Sequence, residues 1–94
     1  MIRKCDDASF TGLVGHVMTT YSALVKAFGA PHYVDEDKST VEWDFKTDSG
    51  VIFTIYDWKT SSTPTGNYNW HIGGHDSRAV DAVRAYFPNA YASR

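Results

Sequence analysis

His71, together with Asp57 or Glu42, supplies the residue types of an acid–base pair, in which a carboxylate orients an imidazole. Nothing beside them offers a nucleophile or an oxyanion site, so no catalytic residue is assigned and the chain is not expected to be an enzyme. His71, His75 and Asp76 have ligand chemistry, but the four-residue step from His71 to His75 begins on a strand run rather than a helix, and no thiolate joins them. No metal site and no cofactor are therefore expected. Gly73-Gly74 before a helix invites a phosphate-loop reading, because helix N-termini present amide donors to anions. Asp76 would occupy that positive end, however, and no Walker-type lysine follows. What remains is aromatic chemistry: Tyr56 and Trp58, able to stack on a base or pack on a protein, with Lys59 or Arg78 available to phosphates.

These residues are carried by the run Gly50-Val-Ile-Phe-Thr-Ile-Tyr-Asp-Trp-Lys59. Val51, Phe53 and Ile55 fall on one face of a strand, and Ile52, Thr54, Tyr56 and Trp58 on the other. Asp57 lies on the apolar face, near its end. Such a run predicts a central strand with one face under helices and the other open to use. Val41-Glu-Trp-Asp-Phe-Lys46 alternates apolar and polar, and Thr47-Asp-Ser-Gly50 has hairpin chemistry, so the two strands should be antiparallel neighbours. Tyr68 to Gly74 resumes the alternation, with Asn69 and His71 outward.

Ser9 to Met18 is rich in strand formers, although Gly12 and Gly15 weaken it, and the alternative to a strand is an early helical turn running into the next element. Thr19 or Thr20 caps a helix whose apolar stripe is Tyr21, Leu24, Val25 and Phe28, closed by Gly29 and Pro31. Asp76 or Ser77 caps a second helix that buries Ala79, Val80, Val83 and Phe87 and ends at Pro88. The connector Asp35-Glu-Asp-Lys38 and the Ser/Thr-rich stretch 59–67 read as loops.

The order β-α-β-β-β-α predicts an α+β two-layer sandwich: a four-stranded, mainly antiparallel sheet with two helices on one face. Leu13, Val17, Val41, Trp43, Phe45, Val51, Phe53, Ile55, Trp70 and Ile72 should form the sheet's side of the core. The opposite face would carry His16, Glu42, Asp44, Thr54, Tyr56, Trp58, Asn69 and His71.

With 94 residues, 43% of them hydrophobic, the chain reads as one domain, 1–94, with looser ends at 1–8 and 89–94. A formal charge of −2 carries no footprint for nucleic acid, and none is expected as a partner. The single cysteine, Cys5, cannot staple the chain to itself. The first residues lack a signal-peptide run and no stretch approaches membrane-spanning length, so a cytoplasmic setting without a membrane partner is expected.

The pieces Phe28-Gly-Ala-Pro31, Glu42-Trp43, Gly50 with Thr54-Ile-Tyr-Asp-Trp-Lys59, and Trp70-His-Ile-Gly-Gly74 resemble a pattern found in small accessory proteins of tailed bacteriophages. The pattern spans residues 19–74 and has no assigned activity. The resemblance implies a non-structural protein made in a bacterial host cytoplasm that acts by binding, either inhibiting a defence or metabolic enzyme or sequestering a signal molecule. The first helix, Phe-Gly-x-Pro and a sheet with Glu-Trp are also similar in architecture to one repeat of β-lactamase-inhibitor-like modules.

The resulting expectation is a phage-encoded inhibitor of a host protein. It would bind through Tyr56, Trp58, His71, Asn69, Glu42, Asp57 and Lys59. A second copy of the chain is an alternative partner. The alternative functions are a nucleotide- or small-ligand-sequestering protein and a small hydrolase using His71.

Overall fold

The computed structural model describes residues 2–35, 38–87 and 92–93. In chain order these form β1 (Ile2–Lys4), β2 (Gly12–Thr19), α1 (Tyr21–Phe28), β3 (Tyr33–Val34), β4 (Val41–Thr47), β5 (Ile52–Tyr56), β6 (Tyr68–Gly74), α2 (Arg78–Arg84) and β7 (Ala92–Ser93). Every pairing is antiparallel, and the strands stand in the order β1-β4-β5-β6-β2-β7, with β3 also on β4. The α+β class and both helices are as the sequence predicts. The four-stranded sheet is not: among the described residues seven strands stand six abreast.

The additional strands are short and lie at the margins. β1 and β3 share one edge of β4, β1 along Phe45–Thr47 and β3 along Val41–Glu42. Where they meet, Asp44 accepts from the Cys5 amide at 3.0 Å and donates its own amide to His32 Nδ1 at 3.0 Å. An imidazole thus completes the ladder between two strand fragments. Ile2–Lys4, which charge marks as loose, are backbone-paired, and Ala92–Ser93 of the tail pair with β2. Pro88, 89–91, Arg94, Glu36 and Asp37 lie outside the described residues.

Local chemistry explains the regular elements. Thr20 Oγ1 accepts from the Ala23 amide at 3.1 Å, capping α1, and Gly29 closes it at φ +82°. Gly50 takes φ +90° in the 47–50 turn, and its amide donates to the Thr47 carbonyl at 3.0 Å. At α2 it is Asp76, rather than Ser77, whose carboxylate receives the Arg78 amide, at 3.0 Å.

Leu24 and Phe28 of α1 and Ala79, Val80 and Val83 of α2 bury against Val17, Val41, Trp43, Phe45, Phe53, Ile55, Trp70 and Ile72. Trp43 and Trp70 meet edge to face at 5.9 Å. Their indole N–H groups reach the carbonyls of Gly29 (2.9 Å) and Thr19 (3.1 Å), so two large rings enter the core with no polar atom stranded. Val51 is only partly buried, because β5 begins after it.

Leu13 is the larger departure. The β2–β6 register shifts by one residue between Leu13 and Gly15. This bulge leaves Val14 packed against the core and turns Leu13 to the other face, where it is 54% exposed.

Candidate functional site

Register alone assembles the face away from the helices. His16 stands opposite His71, His71 opposite Tyr56, and Tyr56 opposite Glu42, in one row across β2, β6, β5 and β4. The next row runs Leu13, Gly73, Thr54, Asp44, and Met18 pairs with Asn69 on the other side. Trp58 lies just beyond the end of β5, its amide donating to the Tyr68 hydroxyl at 3.2 Å.

The rings form a connected series. His16 meets His71 edge-on at 4.7 Å, His71 stacks on Tyr56 at 5.4 Å, and Tyr56 meets Trp58 at 6.1 Å. Leu13, Tyr56, Trp58 and His71 line an open cleft of about 410 Å³. Gly73 makes the close packing beneath it possible, since a Cβ there would overlap Thr54 Oγ1 and lie 3.4 Å from the Tyr56 ring. The Lys38 and Lys59 ammonium groups sit 5.7 and 5.8 Å from the centre of the Trp58 ring, a cation–π distance.

Of the residues singled out from sequence, Tyr56, Trp58 and His71 line this cleft and Lys59 reaches its indole. Glu42 lies in the row behind Tyr56, and Asn69 is exposed beside His71. Asp57 does not belong to the face. It is 0% exposed, and its carboxylate accepts from the Thr40 amide (2.7 Å), the Val41 amide (3.2 Å) and the hydroxyls of Thr40 (2.7 Å) and Thr60. All its bonding is directed into the chain, so it cannot orient His71 as an acid–base partner. Asp44 and Thr54 share the outer face by register but are buried there.

Arg78 is paired with Asp76 at 2.9 Å at the start of α2, in the helical layer, so a nucleotide base on Trp58 would not bring its phosphates to Arg78. Gly73 and Gly74 end β6 instead of forming a loop. His75 Nε2 lies 3.4 Å from the Ser9 carbonyl, and among the described residues no three His, Cys, Asp or Glu side chains gather as a metal site. No helix among them is long and apolar enough to cross a membrane. Leu13 and Lys38 are the site residues that sequence reasoning missed. The Gly12…Gly15 pair, a known companion of bulges, was the available signal for Leu13.

Burial holds the His71 imidazole below the ordinary histidine pKa, and neighbouring His16 acts in the same direction against a weaker opposing pull from Asp57. His71 Nδ1 is buried without a hydrogen-bond partner. Burial likewise pushes the Tyr56 phenol up, with Glu42 adding to it. For His71 the folded protein binds a proton less readily than the unfolded chain, which titrates near about 6.5. Its contribution to stability should therefore be intact above that pH and be lost as pH falls through the depressed folded value. Urea midpoints should decline from pH 7 toward 5, and less steeply in His71→Gln; identical slopes would remove His71 as the cause.

Compared with known protein families, curated proteins and solved structures, the chain matches none.

Proposed function

We propose that this chain is a small non-catalytic binding protein that docks another protein on the outer sheet face and acts as an inhibitor of a host protein, in keeping with its resemblance to small accessory phage proteins. The observation that carries this reading is the cleft between Leu13, Tyr56, Trp58 and His71, held open on the face that neither helix covers. Tyr and Trp offer large contact area with few rotatable bonds, the composition of binding hot spots. The face rests on β5 and β6, interior strands of the sheet, so its rings are placed before any partner arrives. The partner expected is a host protein presenting an apolar or aromatic side chain.

Immobilised wild-type protein should capture one bacterial protein in stoichiometric amount and inhibit it. Tyr56→Ala/Trp58→Ala should lose capture while keeping the far-ultraviolet circular dichroism of the parent. Equal capture by that variant would overturn the assignment of the face.

A second reading has its own support. The cleft's volume lies within the range of about 300–1,000 Å³ typical of small-molecule sites, and two ammonium groups stand at its indole. A planar anion such as a nucleotide, present at a hundredfold excess over its dissociation constant, would then stabilise the fold by about 2.7 kcal/mol. A flat thermal-shift screen across nucleotides removes this alternative.

A further inference from the structure

Phe10 is 100% exposed, in the turn that leads into β2. Its backbone is also at φ +65°, a region that bulky residues avoid and that glycine or asparagine occupies readily. The turn is tied down. The Thr11 amide and hydroxyl both donate to the Ala8 carbonyl (3.4 and 2.9 Å), and the Ser9 amide donates to Asp7 Oδ1 at 3.0 Å. A phenyl ring is thus held out in water, on a strained but anchored backbone, with nothing among the described residues to cover it. Fold stability explains neither choice. An anchor for another surface, ordered before contact, explains both.

The cleft is the complementary shape. At about 410 Å³ and lined by Leu13, Tyr56, Trp58 and His71, it offers aliphatic and aromatic walls to a phenyl ring. Prong and cleft are also close along the chain: Leu13 of β2, one wall of the cleft, follows Phe10 by three residues. A single patch therefore contains both halves of a contact, the condition for an isologous two-fold interface. The charges are complementary. Asp6 and Asp7 are exposed beside the prong, while Lys38 and Lys59 lie over the Trp58 ring.

We propose that a second copy of this chain occupies the cleft, each copy seating Phe10 between Leu13, Tyr56, Trp58 and His71 of the other. This rests on reading the outer face as a protein-docking surface, and names its resident occupant in the absence of a host partner.

Sedimentation velocity across a concentration series tests it. The wild type should approach twice the 10.5 kDa chain mass as concentration rises. Phe10→Gly, which relieves the positive φ and should fold at least as well, should weaken self-association by roughly a hundredfold or more, and so should Trp58→Ala. Mixing the two variants should give a heterodimer of intermediate affinity, because it rebuilds one of the two contacts: one chain retains an intact cleft and the other an intact prong. A wild type that stays monomeric to millimolar concentration overturns the proposal, as does a Phe10→Gly protein that dimerises like its parent. A monomeric wild type that still captures a host protein through Trp58 sinks self-association and leaves the docking reading standing. A Phe10-dependent dimer that captures no host protein does the reverse.

Discussion

Asp57→Ala should cost about 3–5 kcal/mol, since hydrogen bonds to a buried charge contribute roughly 1.5–3 kcal/mol each and the stranded donors add their own penalty. The carboxylate gathers the amides of Thr40 and Val41 and the hydroxyls of Thr40 and Thr60. Thr40 has a single hydroxyl proton and gives it to Asp57. The 2.6 Å contact between Thr40 and Thr63 must therefore have Thr63 as donor. One side chain thus fastens the entry to β4, the exit of β5 and the loop after it. A domain of 94 residues has a total stability of about 5–14 kcal/mol, so this loss is a large share, and Tm should fall by about 12 °C or more. Asp57→Asn keeps an oxygen for the two amides and should recover more than half. A denaturation cost below about 1 kcal/mol for the alanine variant would show that the clamp contributes little.

The clamp also sets acid sensitivity. Burial pushes the Asp57 carboxyl up, but the bonds from Thr60, Thr40 and Val41 outweigh it and hold it below the usual carboxylate value. Its stabilisation is therefore present above about pH 3.9, where the unfolded residue titrates, and is lost as pH falls through the folded value.

Gly74→Val should cost about 3 kcal/mol, near the upper end of what overpacking a core incurs. Gly74 is buried at the end of β6, where a Cβ would overlap that of Ala79 and stand 3.3 Å from the Ile52 carbonyl. Neither neighbour is the free end of a long side chain. Relief requires α2 to lift from the sheet, taking Val80 and Val83 with it. Gly74→Ala should show a smaller loss, part of which Ala79→Gly restores even though glycine within a helix costs about 1 kcal/mol on its own. Additive losses in that double variant, measured by urea denaturation, would show that the two positions do not compete for space.

What was legible in the sequence is local. The Thr20 cap, the stripe from Tyr21 to Phe28, the turn at Gly50 and the two faces of β5 each depend on residues a few positions apart. The margins were not legible, because β1, β3 and β7 are fragments of two or three residues whose only reason for being extended is a partner far along the chain. Leu13 was misplaced by a single inserted residue, since side chains alternate with period two and one extra position reverses every side chain before it. Asp57 was misread because a carboxylate among strand residues looks alike whether it awaits a ligand or holds a loop. The donors that decide the matter stand at Thr40 and Thr60, on different segments. The Gly73-Gly74 pair has the composition of a flexible turn and the job of letting Thr54 and Ala79 come close.

The imidazole that sits between β1 and β3 has a wider consequence. An uninterrupted outermost strand exposes a regular row of amides and carbonyls on which a foreign polypeptide can zip, the seed of fibrous aggregates. Along β4 that row is broken into two short pieces with a ring nitrogen in the middle, and a ring cannot template an incoming strand. Sheet-to-sheet extension is thereby discouraged on this side, where an approaching chain meets side chains in place of a continuous ladder.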